Sequence, residues 1–597
     1  MEQLACRPAT AGLDALGLRL DLVGDLASFR PSLSLHAIAD GLAEVEVVLE
    51  TSAPAAPPAL IVRLSGQAAG IAHTWRSDRD GSIGIVPDWS GNVVAARAAV
   101  QAPVLCFHGI DGVNRLTIAA ADALHGSRLG GGVREEDCRL IVAYEPFLAG
   151  RAPATRFAVR LRLDVRVQPW HRTVQDVARW WELMPGHAPM PVPAAGREPM
   201  YSTWYSFHQL CDPAPVLAEC RRARELGCTA VIVDDGWQTM DGNRGYGFAG
   251  DWRPERMGDM RAFVDSVHAL GMGVLLWYAV PLIGYRTAAF KRFERCLLRR
   301  DERLACGIAD PRYPEVRTFL AELYERQVRE WGLDGVKLDF IDCMQPVEGM
   351  PLGVGDGRDI GDLDEAVDVL MKEVVRRLRG VRPDILVEFR QGYIGPLMRS
   401  FGNLFRAGDC PYDAVANRAR TIAVRMLAGG SATHADMLMW SPHDAPEVAA
   451  RQLLAVLFAV PQVSVLIERL TAPQRAMLAF WLGWWREHRS TLLDGALAPD
   501  EPESGCPLVQ ADGVGERVTA VYADRSVRDA GAVPARWWLV NATARGDLAL
   551  LLDRPLGRRR LVVRDCRGAV VHDAVADFTA GAHRIAVPPS GLALLEG

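Results

Sequence analysis

The chain has 597 residues, 49% of them hydrophobic and 23% charged, which leaves room for several domains and excludes wholesale disorder and collagen-like repeats. Its 67 basic and 73 acidic side chains give a formal net charge of −6 without long blocks of one sign, so there is no electrostatic footprint for nucleic acid or an anionic membrane. No run of roughly 18 apolar residues escapes a charge or a Gly/Pro break. Asp14 also interrupts the N-terminal segment before an apolar run long enough for a signal peptide, so the sequence reads as a cytoplasmic protein. Residues 1–184 carry short alternating segments, such as Ala43–Leu49 and Arg156–Val167, whose period of two predicts half-buried antiparallel strands of a β-sandwich. Turn signals, among them Arg79-Asp80-Gly81, punctuate them, and an amphipathic helix over Thr173–Met184 closes the region. A Pro-rich connector, 185–199, reads as a domain boundary.

From residue 200 to about 490 the rhythm changes. Candidate strands at Met200–Phe207, Ala230–Asp234, Gly273–Tyr278, Gly335–Phe340, Ile385–Phe389, Asn403–Arg406, Ala435–Met439 and Gln462–Ile467 alternate with helical stretches. The clearest helices are Ala214–Leu226, Met260–Leu270, Pro314–Trp331 and Asp362–Leu378. Strand–helix alternation requires crossovers and a parallel sheet, and this count and size predict a closed (β/α)8 TIM barrel. An open doubly wound sheet fits less well, because no Gly-x-Gly-x-x-Gly follows an early strand. Residues 491–597 return to strands, at Arg536–Asn541, Leu548–Leu552, Arg560–Val563 and His583–Val587, and read as a small C-terminal β-sandwich. The 12 cysteines show no Cys-x-x-Cys spacing, so neither a zinc site nor a disulfide framework is indicated.

A barrel does its chemistry at the C-terminal ends of its strands. The second candidate strand runs out into Asp234-Asp235-Gly236-Trp237, and the fourth ends in Lys337-Leu-Asp339. The fifth ends in Glu388-Phe-Arg390, and the sixth in Arg406-Ala-Gly-Asp409. Trp204, Trp237, Trp252 and Trp277 lie near these ends. Carboxylates and cations can bind sugar hydroxyls while aromatic rings stack on apolar sugar faces. Cleaving a glycosidic bond needs one ionised and one protonated carboxyl group. Asp339 suits the first role, with Lys337 two residues earlier on the same strand face, and Asp409 suits the second, with Asp413 as its rival.

The motifs Tyr201-Ser-Thr-Trp204-Tyr-Ser-Phe-His208-Gln209, Asp234-Asp235-Gly236-Trp237-Gln238, Gly250-Asp251-Trp252 and Lys337-Leu-Asp339 resemble the melibiase group. These are the family 36 α-galactosidases and their clan D relatives, including raffinose synthases. The resemblance covers the barrel and, more loosely, the three-domain layout. It implies a retaining double displacement with Asp339 as nucleophile and Asp409 as acid/base. It also implies that Asp234 and Asp235 hold the sugar C4 and C6 hydroxyls, with Lys337 and Trp237 in direct contact. Trp204, Trp252, Trp277, Arg390 and Arg406 complete the expected substrate-binding set.

Two departures stand out. Phe405-Arg406-Ala-Gly408-Asp409-Cys410 replaces the family's Trp-x-Ser-Asp, with Arg406 three rather than four residues before the candidate acid. Glu388-Phe-Arg390-Gln391-Gly392-Tyr393 replaces its Cys-x-Gly-Gly-Gly. Other readings are plainer: Glu388 as an ion pair with Arg390, His434 and Asp436 as structural partners, and Cys343 and Cys410 as apolar pocket wall.

The expected protein is an exo-acting retaining α-glycosidase of small carbohydrates, without metal or organic cofactor. The resemblance adds the prospect of a homo-oligomer. Its rivals are a raffinose-synthase-like galactosyltransferase, a relative of other sugar specificity, and a carbohydrate-binding protein that has lost catalysis.

Overall fold

The computed structural model describes residues 11–148, 151–529 and 533–597; the first ten residues, part of the segment weighed as a leader, lie outside it. The described residues of 11–148 and 151–164 form two antiparallel sheets, one of six strands and one of seven. Leu42–Ala55 pairs with Ala154–Asp164 in the second sheet, setting Val45 opposite Leu161 and Val47 opposite Val159. Alternate residues on these strands share a face, and a single apolar cluster draws Leu20, Leu22 and Leu64 from one sheet and Val45, Phe107 and Leu161 from the other. The helix Trp170–Glu182 fastens this region to the barrel. Trp181 Nε1 donates to the Ala120 carbonyl, while the buried Arg399 reaches from the barrel to Glu182 and the Ala178 carbonyl.

The barrel strands are numbered here β1 (Met200–Ser202), β2 (Ala230–Val233), β3 (Gly273–Ala279), β4 (Gly335–Asp339), β5 (Leu386–Arg390), β6 (Leu404–Arg406), β7 (Ala432–His434) and β8 (Gln462–Val463). Each pairs in parallel with its predecessor through β7, and β8 pairs in parallel with β1. Isolated bridges His434–Val460 and Leu438–Val463 draw the β7 and β8 segments together, so the sheet closes into a TIM barrel rather than lying open. These strands are almost wholly buried, as a sheet covered on both faces must be.

Three expected strands differ, the eighth by stopping at Val463 before a helical turn at Ile467–Arg469. Residues 204–207 are a helical turn, not strand, because the Phe207 amide donates to the Thr203 carbonyl once Thr203 has adopted a helical conformation. The seventh strand lies at 432–434, before the expected 435–439. From Ala435 onward the backbone bonds toward the β8 side, with Ala435 N–H on Val460 and Leu438 N–H on Gln462.

The helix Ala472–Asp494 follows the barrel and opens with a capping box between Thr471 and Gln474. The C-terminal strands form sheets of seven and three strands around Trp537, Leu539, Leu550 and Leu595. Among the described residues no helix is long and apolar enough to cross a membrane.

The buried Glu516 ties the 472–494 helix to the C-terminal sheet. It accepts hydrogen bonds from His488 Nδ1 (2.9 Å), Thr491 (2.8 Å) and Trp538 Nε1 (3.0 Å). Burial opposes its charge, but these donors hold its pKa down at about 2. The stabilisation is therefore present above the ordinary glutamate range and fades as pH falls toward 2. Glu516→Gln is expected to cost about 1–3 kcal/mol at pH 7, with the gap to the parent narrowing at pH 3, as read by urea unfolding.

Candidate active site

Polar residues at the ends of β2, β4, β5 and β6 meet at one end of the barrel. Asp234 follows β2 directly. Lys337 and Asp339 are two residues apart on β4 and point inward together. The Lys337 ammonium donates to Asp234 Oδ2 at 2.5 Å, with both side chains buried.

Asp339 is held by four donors. Its Oδ1 accepts from Arg390 Nε (2.6 Å), the Phe340 amide (2.8 Å) and the Tyr393 hydroxyl (2.9 Å). Its Oδ2 has the Trp277 indole N–H at 3.1 Å. The chain turns left-handed at Phe340 (φ +62°), a conformation that costs a non-glycine residue about 1–2 kcal/mol. Burial alone would raise the Asp339 pKa, but Arg390 and then Lys337 more than offset it, leaving the carboxyl well below the usual range. Asp339 is therefore a buried anion with one oxygen only lightly engaged.

Asp409 lies just past β6, and its side chain is 48% exposed. Among the described residues its one ion pair is to Arg406 Nη2 at 2.9 Å. Burial and the charge of Asp339 push its pKa up, yet Arg406 and Lys337 prevail and the net shift is downward. Lys337 and Asp339 both act electrostatically on Asp409, and the three stand on β4 and just past β6 at the same end of the barrel. Asp413, the rival acid, caps the helix Ala414–Ala428 by accepting from the Val415 and Ala416 amides.

The buried Arg406 guanidinium serves three carboxylates: Asp409, Asp436 at 2.5 Å and Glu388 at 3.8 Å. Asp436 also accepts from the Tyr205 hydroxyl (2.9 Å) and the Cys410 amide (2.6 Å). Burial pushes both Glu388 and Asp436 up. Glu388 thus pairs with Arg406, not with Arg390 two residues along its own strand. His434 is occupied with the Gly196 carbonyl and Gln462.

Several residues expected to touch substrate are engaged elsewhere. Asp235 is buried and accepts from Gln209, Gln238 and the Gly245 amide, so it staples the loop after β2 rather than facing a sugar. Trp237 is fully buried, donates to the Trp277 carbonyl (2.9 Å) and stacks on Trp252 (5.6 Å, 22°). Trp252 packs edge-on against Trp277 and Tyr278, so Trp237 and Trp252 are core. Trp277, Arg390 and Arg406 hold carboxylates. Trp204 carries the Arg244 guanidinium 4.2 Å from its ring centre and His208 at its edge.

The sequence reading passed over Asp342, Tyr393, Tyr205 and Arg244. The Tyr393 hydroxyl lies 2.9 Å from Asp342 Oδ1 as well as from Asp339, and burial raises the Asp342 pKa. The available signal was position, since Asp342 and Tyr393 each lie three residues beyond a polar strand end.

Two other clusters bring metal-ligand atoms within 4.8 Å of one another: His73, His108 and Glu503, and His125, Asp362 and Glu365. Burial works against a charge on His125, but Asp122 and Glu365 raise its pKa to about 10, so it acts as a cation toward its acidic neighbours. A cavity of about 750 Å³ lies at the other end of β7, lined by His171, Glu182, Arg425, Ser431 and Asp512. It contains none of the strand-end carboxylates.

No family model matches the chain. It is 28% identical over 306 residues to the 1,4-alpha-glucan branching enzyme GlgB of Nocardia farcinica, covering 48% of this chain and 38% of that protein. It is 26% identical over 155 residues to the alpha-galactosidase Mel36A of Lactobacillus acidophilus, covering 24% of this chain and 19% of that one. The chain thus spans well under half the length of these curated relatives. Solved structures match far more of it. The GH36 alpha-galactosidase AgaA from Geobacillus stearothermophilus has a TM-score of 0.64 at 13% identity, covering 97% of this chain and 83% of that one. The alpha-galactosidase from Lactobacillus brevis gives 0.63 at 13%, covering 97% and 81%. The likeness is one of fold: the chain has the multidomain barrel architecture of the GH36 alpha-galactosidases.

The placement of Trp237 makes a clear prediction. Trp237→Ala is expected to cost about 3–5 kcal/mol in urea unfolding; unchanged stability would place the ring in the cavity instead.

Proposed function

We propose that the protein is a retaining exo-α-glycosidase, an α-galactosidase, acting through a covalent glycosyl-aspartate. One observation carries this reading: a buried carboxylate, Asp339, held ionised by four donors at the end of β4, with a half-exposed carboxylate, Asp409, just past the end of β6 of the same barrel. The reaction begins when Asp339 Oδ2 attacks the anomeric carbon. The glycosidic C–O bond breaks as its oxygen takes a proton from Asp409. Water then gives its proton to Asp409, and its oxygen attacks the same carbon, releasing the Asp339 carboxylate. Two inversions leave the configuration retained, which calls for carboxyl groups about 5–5.5 Å apart.

The electrostatics support the change of role at Asp409. Arg406 and Lys337 favour its ionised form. A sugar covering its exposed side removes water and favours the protonated acid. Once Asp339 is esterified its charge is gone, and with it the upward push on Asp409, which is then poised as a base. Asp234, with its lysine, is the carboxylate left to hold sugar hydroxyls. The Geobacillus AgaA structures in complex with stachyose and raffinose support a terminal α-galactoside as substrate.

Asp339→Ala is expected to slow hydrolysis of an aryl α-galactoside by about 10³-fold or more, with azide restoring turnover and giving the β-galactosyl azide. Full activity in that variant would overturn the assignment. Arg390→Gln removes the cation nearest Asp339 and so raises its pKa. The acid limb of the kcat/KM profile should then move to higher pH by about 1–2 units.

A further inference from the structure

Asp409 itself has little to hold it: among the described residues one ion pair, and a side chain half in solvent. Its position depends on the backbone of the loop between β6 and the 414–428 helix. Three side chains hold its residues 408–410 directly. The Gly408 amide donates to Gln391 Oε1 (3.0 Å), and the Cys410 amide donates to Asp436 Oδ2 (2.6 Å). The third is Arg420, on the helix that follows, whose Nη1 donates to the carbonyls of Asp409 (2.7 Å) and Gly408 (3.3 Å).

Arg420 is in turn gripped from outside the barrel. Its Nε and Nη2 form a two-pronged pair with Asp80, each at 3.0 Å. Asp80 belongs to the N-terminal β region, in the turn between His73–Arg76 and Ser82–Gly84. A fork of this kind fixes direction as well as distance, because the guanidinium is planar and its donors are rigidly placed. The turn is itself wedged. Gly81 has φ +142°, and a Cβ there would come within 2.2 Å of the Pro502 carbonyl, in the turn between the C-terminal strands Ala496–Pro499 and Leu508–Asp512. The 79–82 turn therefore sits where N-terminal region, barrel and C-terminal region meet.

From this geometry we infer that Asp80 is a positioning residue for Asp409, acting through Arg420 on the carbonyl of Asp409 itself. The inference rests on the proposed role of Asp409 as acid/base. It gives the N-terminal β region a part in the chemistry, by holding the proton donor in line with the departing oxygen. Small displacements of a reacting group carry large rate penalties.

The test compares Asp80→Asn and Asp80→Glu with the parent on two substrates, raffinose and 2,4-dinitrophenyl α-galactoside. An alkoxide leaving group needs the proton from Asp409, whereas dinitrophenolate does not. Asp80→Asn is expected to lower kcat/KM on raffinose, which reports the first, glycosylation step, about tenfold. It should leave kcat/KM for the dinitrophenyl substrate within about twofold, and Asp80→Glu should recover part of the loss. Equal losses on both substrates, or no loss on either, would overturn the inference. Hydrogen–deuterium exchange gives a readout independent of activity. In Asp80→Asn the peptide spanning 404–413 should exchange faster while the β4 peptide is unchanged. Faster exchange in a protein that cleaves no α-galactoside would leave the coupling standing and sink the functional reading. Unchanged exchange in an active protein would do the reverse.

Discussion

A carboxylate kept charged in a buried site is the constraint on which the rest of this molecule depends. An ion moved from water into a protein interior without partners loses several kcal/mol of solvation, so Asp339 would protonate unless donors surrounded it. They come from three places: Arg390 and Tyr393 at the end of β5, Trp277 on β3, and the amide of Phe340 next along the chain. Each must reach the same point, and that requirement fixes how β3, β4 and β5 lie beside one another. The register places Ala279 opposite Asp339 and Lys337 opposite Glu388, which sets the ends of these strands at nearly one level.

A second buried centre stands beside the first. Arg406 brings β5, β6 and the segment after β7 together through Glu388, Asp409 and Asp436. The two centres share Lys337, which faces Asp234 directly and lowers the pKa of both Asp339 and Asp409. Removing any one charge therefore changes the proton affinity of groups on neighbouring strands, which makes the site an electrostatic unit rather than a row of independent side chains.

Much of the fold was legible because its signals are local. The helix Pro314–Trp331 has proline at its first turn and glycine just past its end, and it occupies the expected residues. Arg536–Asn541, a short apolar run buried along nearly its whole length, and Leu548–Leu552, which alternates buried with more exposed residues, also match. The seventh barrel strand was not legible, because 435–439 is as apolar as a buried strand and only tertiary pairing with β8 turns it aside. The acidic residues at strand ends could be named from the sequence, but their partners could not. Arg390 reaches Asp339 from an adjacent strand, a contact that no spacing along the chain records. Aromatic residues misled for a related reason. Trp237 and Trp252 follow polar strand ends, yet the loop after β2 folds back and buries both indoles, stacked on each other, with Trp277 and Tyr278 packed edge-on against Trp252.

The central claim is that Asp339 bonds to the anomeric carbon while Asp409 stands opposite. The direct test is to trap the intermediate with a fluorinated α-galactosyl donor that slows the second step, then sequence the peptides by mass spectrometry. A single glycosylated peptide is expected, with the sugar on Asp339, accumulating further when Asp409 is replaced by alanine. A sugar carried on Asp342 or Asp234, or product released with inverted configuration and no labelled peptide, would contradict it.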